Sequence, residues 1–131
     1  MSKFKKLYAY IDIGCMDEIS QSIQLRIIKL FANENQAKIT FLTNEDIDSI
    51  KTQLVFYSKL KESPKVDGFI FFSINQLCYE GFNIKLLKKI FKKKYDLYFA
   101  KEELIFRHKD KLLKKKINEL LIYSYIKNNV N

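Results

Sequence analysis

The sequence contains few of the residues on which small catalytic sites depend. Its 131 residues include one histidine, two cysteines, one proline, three glycines and no tryptophan. A zinc site of the four-ligand kind, or a histidine-dependent triad away from His108, is therefore nearly excluded. The glycines form neither a GxGxxG nor a Walker motif, so we expect no phosphate loop, no metal and no cofactor.

Long apolar runs are missing as well. No stretch approaches the roughly eighteen uninterrupted apolar residues of a membrane span, and MSKFKKLYAYIDIG passes from charge into a strand pattern without a signal-peptide core. We expect a cytoplasmic protein that does not contact membranes. Cys15 and Cys78 would then be free thiols, acting as small apolar residues or, for Cys15 before a predicted helix, as a nucleophile.

Charge, in contrast, is abundant and unbalanced. There are 24 basic and 15 acidic residues, which give a net charge of +9 and a pI near 9.4. Much of the excess lies in two lysine runs, 88–94 and 109–116, each on a predicted helix whose other face is apolar. The runs are either solvated helix faces or a surface for nucleic acid. We favour the first, which makes nucleic acid the less favoured partner.

Apolar periodicity divides the chain into strands and helices of one domain, 1–131. Strand patterns cover 7–13, 37–42, 66–74 and 96–100, with a short fifth at 104–106. Helical patterns follow the first three strands; Asp17 is the expected N-cap of the first, and Thr43 and Asn44 lead into the second. A terminal amphipathic helix is predicted at about 108–127, with His108 as a surface or capping residue.

Strands that alternate with crossover helices predict a three-layer α/β fold. We expect a mostly parallel sheet of four to five strands with helices on both faces, resolvase-like or flavodoxin-like, with the strand order left open. The near-continuous apolar run VDGFIFFSI is typical of a central strand buried on both faces.

Ligands of such sheets bind outside the carboxyl ends of the strands. The residues at or just after the carboxyl ends of the predicted strands are Asp12, Gly14, Cys15, Thr43, Asn44, Glu45, Ser73, Asn75, Gln76, Cys78, Glu102 and Glu103. Asp12 and Glu102 are candidates for a catalytic acid and base, although Asp12 could instead cap a loop or face solvent and Glu102 pair with a lysine. Ser73, Asn75 and Gln76 suit a hydroxyl-rich ligand, or only the needs of their own turn.

Three segments resemble the catalytic domain of serine recombinases over roughly residues 7–103: KLYAYIDI, the glutamines of SQSIQ, and VDGFIFFSINQL. The resemblance implies a resolvase-like fold. However, Tyr10 and Asp12 stand where that family carries an arginine and its nucleophilic serine, and Asn75 and Gln76 replace its Asp-Arg pair. Without the serine and arginines, strand exchange is not expected.

A closer resemblance is to the sporadic carbohydrate cluster proteins of bacterial surface-polysaccharide loci. SQSIQLRIIKLFANEN (20–35), ESPKVDGFIFFSINQL (62–77) and LYFAKEEL (97–104) are similar to that family's PQxxQ helix, central strand and FAxE strand end. The polar positions that coincide are Gln21, Gln24, Ser73, Gln76 and Glu102, while Ser20 and Cys78 replace two prolines. The resemblance implies a role in sugar or O-antigen biosynthesis.

Three functional hypotheses follow. The first is a carbohydrate-pathway protein that binds a sugar or sugar nucleotide through Gln21, Ser73, Asn75, Gln76 and Glu102. The second is a non-catalytic DNA-binding or regulatory domain that uses the basic helices. The third is a homodimeric interaction module, because Leu113, Ile117, Leu120 and Ser124 recur at heptad-like spacing in the terminal helix.

Overall fold

The computed structural model describes residues 4–12, 19–45, 54–77 and 83–129. Within these ranges, strands and helices alternate along the chain. The strands are β1 (Lys5–Asp12), β2 (Ala37–Glu45), β3 (Gly68–Phe71), β4 (Asp96–Phe99) and β5 (Leu104–Phe106). The helices are α1 (Gln21–Glu34), α2 (Leu54–Lys61), α3 (Ile84–Lys92) and α4 (Leu113–Asn129), and a 3₁₀ helix, Ile74–Leu77, follows β3. None of the helices in the described ranges is both long enough and apolar enough to span a bilayer.

The five strands form one sheet in the order β2-β1-β3-β4-β5. The first three neighbouring pairs are parallel and β4–β5 is antiparallel, so the predicted α/β class and mostly parallel sheet are confirmed. Strand β5 runs backwards because only a short turn separates it from β4, whereas a parallel return needs a crossover of about a dozen residues. The strand order reverses between β1 and β3, which makes their carboxyl ends the topological switch point.

Side chains on the two faces of the sheet enter two separate cores. One face, which includes Tyr10, Phe71 and Phe99, packs against α2, α3 and the apolar side of α4. The opposite face, which includes Ile70 and Tyr98, packs against α1. Every residue of β3 and β4 is buried, as predicted for strands covered by helices on both sides.

The structure corrects two predicted helix starts near the carboxyl edge. Helix α1 is capped by Ser20, whose side chain accepts a hydrogen bond from the Ile23 backbone N–H (3.3 Å), rather than by Asp17, which lies outside the described residues. Thr43 and Asn44 belong to β2 rather than to the start of a helix, because β2 keeps its parallel pairing with β1 as far as Asp12; residues 46–53, which the predicted helix includes, lie outside the described residues.

The terminal helix also begins later than predicted. The chain turns at residues 107–110, and the side chain of Asp110 accepts a hydrogen bond from the Leu112 N–H (2.9 Å), so α4 starts at Leu113. His108 is therefore not in the helix, and it is partly buried rather than on the surface. Leu113, Ile117 and Leu120, the described part of the proposed dimer stripe, pack against the core of their own chain.

Candidate functional site

Gln76 connects the ends of two neighbouring strands at the switch point. It is fully buried in the 3₁₀ helix after β3. Its Oε1 accepts a hydrogen bond from the Ser73 backbone N–H (3.0 Å). Its Nε2 lies 3.4 Å from both the Tyr10 carbonyl oxygen and Oδ2 of Asp12, which belong to β1. The amide of Gln76 thus bridges the crevice where a doubly wound sheet binds its ligands.

Ser73 extends this connection to β4. Its Oγ donates to Oε2 of Glu102 (2.7 Å), while Oε1 of Glu102 accepts from the Ile74 backbone N–H (3.1 Å). The same Oγ accepts from the Asn75 backbone N–H (3.1 Å). Glu102 lies in the turn between β4 and β5 and is partly buried. The expected alternative, a lysine partner for Glu102, is wrong within the described residues, because its hydrogen bonds there come from Ser73 and Ile74.

A second buried carboxylate, Glu45, lies beside Asp12 at the end of β2. The two residues are direct partners in the parallel register of β1 and β2. The Tyr10 hydroxyl donates to Oε1 of Glu45, and the Val55 N–H donates to Oε2 (3.0 Å). A carboxylate is favoured there because the first turn of α2 has unsatisfied N–H groups and the positive end of the helix dipole. Glu45 therefore joins β1, β2 and α2.

Glutamines of α1 complete the edge. Gln24 is fully buried, and its Nε2 donates to the carbonyl oxygens of Asp12 (3.0 Å) and Ile19 (2.9 Å). Its Oε1 is buried without a hydrogen-bond partner among the described residues. Gln21, nearer the surface, accepts a hydrogen bond from the side-chain amide of the exposed Asn44 (3.1 Å).

The structure brings four of the predicted site residues into one hydrogen-bonded chain, Asp12–Gln76–Ser73–Glu102. Asn75 lies beside this chain and is partly buried, whereas Gln21 accepts a hydrogen bond from Asn44 rather than from any of the four. Asp12 is fully buried, so the alternative in which it faces solvent is wrong. Gly14, Cys15 and Cys78 lie outside the described residues.

Two members of this edge, Glu45 and Gln24, were named in the sequence analysis, as a strand-end residue and as a position shared with the carbohydrate family, but were not assigned to ligand binding or catalysis. The sequence carries a signal for Gln24, since it shares the buried side of α1 with Ile28 and Phe31 and is the one polar residue there. Glu45 carries no such signal, because its burial depends on β2 continuing beyond Leu42.

The groups of this network that reach the surface are amides and the carboxylate of Glu102, next to the exposed side chains of Lys101 and Glu103 in the same turn. Asn44 is exposed, and Gln21, Asn75 and Glu102 are partly buried. Such groups donate to and accept from hydroxyls. None of the salt bridges between described residues reaches this edge, and no three described His, Cys, Asp or Glu side chains are grouped as a metal site would require.

Fold and site together define the class: a doubly wound α/β protein with a buried polar network at its switch point. Comparison with known proteins does not narrow this class, because no family model, no curated protein and no solved structure matches the chain.

Proposed function

We propose that this protein acts in surface-carbohydrate biosynthesis, of O-antigen or capsule, and binds a sugar or sugar nucleotide at the carboxyl edge of its sheet, without recombinase activity. One observation carries the binding proposal: the chain Asp12–Gln76–Ser73–Glu102 crosses the topological switch point. That is where open α/β sheets hold their ligands. The proposed pathway rests on the resemblance of the SQSIQ, VDGFIFFSINQL and LYFAKEEL segments to the sporadic carbohydrate cluster proteins.

The chemistry of the edge supports a hydroxyl-rich ligand. Glu102 accepts one hydrogen bond on each oxygen from Ser73 and Ile74, and each carboxylate oxygen has two lone pairs, so it retains capacity for ligand hydroxyls. Among the described residues, Asn75 contributes its backbone N–H to the network and its side-chain amide makes no hydrogen bond, so we assign that amide to the ligand.

The residues at the recombinase positions support the absence of strand exchange. Tyr10 is fully buried, and its hydroxyl donates to Glu45. Asp12 and Gln76 are buried as well. None of these side chains supplies the serine nucleophile or the cations that stabilise a phosphoryl transition state.

A thermal-shift panel tests the proposal. Nucleotide sugars are compared with the matching nucleoside diphosphates and with free sugars. A ligand at about 100 times its Kd stabilises the native state by about 2.7 kcal/mol, which raises Tm by several degrees. We expect this rise only for ligands that carry the sugar.

Matched variants locate the binding. Asn75→Ala removes a side chain without a role in the network and should abolish most of the shift while leaving the unliganded Tm unchanged. Glu102→Gln should reduce the shift, whereas Glu103→Gln, the same change at the exposed neighbour, should not. The proposal is wrong if no nucleotide sugar stabilises the protein and Ser73→Ala and Glu102→Gln leave glycan production intact.

A further inference from the structure

A cavity of about 490 Å³ lies between β5 and the start of α4. It is lined by Ile105, Arg107, Lys109, Asp110 and Lys116. Because β5 is antiparallel to β4, with Phe106 opposite Leu97, the chain leaves the sheet here at the amino edge. The cavity is therefore separate from the network at the carboxyl edge.

The surroundings of this cavity are strongly basic. The segment 107–116, RHKDKLLKKK, holds six lysines and arginines but a single aspartate. Three of these cations line the cavity, against one carboxylate, Asp110. A concave surface with an excess of positive charge concentrates anions.

Arg107 is held in position by a buried carboxylate. Its NH1 lies 3.4 Å from Oδ2 of Asp96 and 3.3 Å from the Tyr98 hydroxyl, and the guanidinium lies 5.7 Å from the centre of the Tyr98 ring. Oδ1 of Asp96 accepts from the backbone N–H of His108 (2.9 Å) and lies 2.7 Å from its Nδ1. Among the described residues, only NH1 of the guanidinium has a partner, so its remaining N–H groups are available to a ligand.

The two lysines differ in how they are held. Lys109 is exposed and makes no hydrogen bond or salt bridge with any described residue. Lys116 pairs with Asp110, whose other oxygen caps the start of α4 through Leu112. Asp110 therefore opposes anion binding in two ways, because it adds a negative charge to the lining and competes for Lys116.

We propose that this cavity binds a compact polyphosphate, the diphosphate group of a nucleotide or free pyrophosphate. Its volume falls within the range of about 300–1,000 Å³ that is typical of small-molecule pockets. A guanidinium binds phosphate oxygens in a bidentate manner, and lysines add point charges. Arg107 is paired with Asp96 and Lys116 with Asp110, so the three cations exceed these two carboxylates by one charge, that of Lys109, and a compact anion adds phosphate oxygens as partners for all three.

Isothermal titration calorimetry with inorganic pyrophosphate tests the site on the full chain, at about 50 mM salt, where screening is moderate. A nucleoside diphosphate titrated in parallel distinguishes the two sources. We expect saturable binding at one site. Loss of two charged contacts in Lys109→Gln/Lys116→Gln should weaken it by about tenfold or more. Lys88→Gln/Lys92→Gln, which removes two exposed lysines from α3, should change it by less than about twofold.

Asp110→Asn tests the same cavity through an expected gain, rather than a loss, of pyrophosphate affinity. Asparagine can still cap Leu112 through its side-chain oxygen, but the negative charge is removed and Lys116 is released. Pyrophosphate should therefore bind several-fold more tightly. If only the net charge of the protein mattered, Asp110→Asn and the removal of a distant carboxylate, Glu62→Gln, would raise the affinity for pyrophosphate equally.

Three results would overturn the proposal: no saturable binding, equal weakening by the two lysine pairs, or no gain from Asp110→Asn. A fourth is binding of duplex DNA that pyrophosphate does not displace, which would assign the basic segment to nucleic acid. Asn75→Ala should leave pyrophosphate binding unchanged, so failure at this cavity and failure of the proposed sugar site can be told apart.

Discussion

The two edges of the sheet both bury carboxylates, but they satisfy them with different partners. At the carboxyl edge, Asp12, Glu45 and Glu102 accept hydrogen bonds from amide, hydroxyl and backbone N–H groups. At the amino edge, Asp96 accepts from Arg107 and is paired with His108. The difference follows from chain direction. The helix after a parallel strand begins at the carboxyl edge, so the N–H groups of α2 are there to receive Glu45, whereas Asp96 accepts from a single backbone N–H, that of His108, and from the guanidinium of Arg107.

This contrast has a functional consequence. An edge built on neutral donors leaves amides and a half-buried carboxylate at its surface, which suit hydroxyl groups. An edge built on cations leaves guanidinium and ammonium groups, which suit phosphates. The two proposed sites thus follow from how each edge satisfies its own acidic residues.

The largest expected effect is at the amino edge and concerns Gly68. A Cβ at this position would lie 2.4 Å from the Asp96 carbonyl oxygen, so alanine must push β3 and β4 apart. Gly68→Ala should lower the free energy of unfolding by about 3 kcal/mol. Urea denaturation measures it, with Lys65→Ala on the exposed preceding turn as the control. A loss below about 1 kcal/mol would show that the strands can separate easily here.

The next largest effect is at the carboxyl edge. Gln76→Ala removes the bridge between β3 and β1 and leaves the Ser73 N–H without its buried acceptor. We expect a loss of about 2 kcal/mol in urea denaturation. Asn75→Ala, whose side chain is outside the network, should cost less than about 0.5 kcal/mol. Equal losses for the two variants would contradict a structural role for Gln76.

Added salt should reduce the stability contribution of the charged pair at the amino edge but leave that of the neutral network at the carboxyl edge unchanged. Asp96→Asn weakens the interaction with Arg107, which is 47% exposed, so the loss of stability should be about 1 kcal/mol at low salt. It should shrink as salt is raised to about 1 M, where the Debye length falls to about 3 Å. The loss from Gln76→Ala, which involves neutral donors, should stay constant over that range. A salt-independent Asp96→Asn effect would mean that the amino edge does not depend on charge.

The smallest effect is a pH dependence at Asp110. The hydrogen bond from Lys116, together with that from the Leu112 backbone, lowers the pKa of Asp110 below its usual value. The carboxylate therefore stabilises the fold above that usual value, and the contribution disappears as the pH falls through the lowered pKa. Urea midpoints of the wild type and Asp110→Asn should differ slightly at neutral pH and converge in acid. A difference that persists in acid would contradict this role of the charge.

Local patterns predicted the class of fold and the edge of the sheet at which the polar residues meet. The run VDGFIFFSI indicated a strand buried on both faces, and the residues after β1, β3 and β4 were expected to meet because parallel strands end at one edge. Asp12, Ser73, Gln76 and Glu102 do meet there. Gln21 was suggested by the family resemblance rather than by this strand-end argument; it lies on α1 and accepts a hydrogen bond from Asn44.

What the sequence determined by itself was therefore periodicity: which segments are strands or helices, and which polar residues follow the strands. Contacts between distant segments were decided by the tertiary structure. Glu45 is buried because β2 extends along β1, and Arg107 is held by Asp96 because β5 turns back along β4. The physical reason is that the apolar pattern of a segment is local. The hydrogen-bond partners of a side chain, in contrast, depend on strand register and direction, which only the assembled sheet sets.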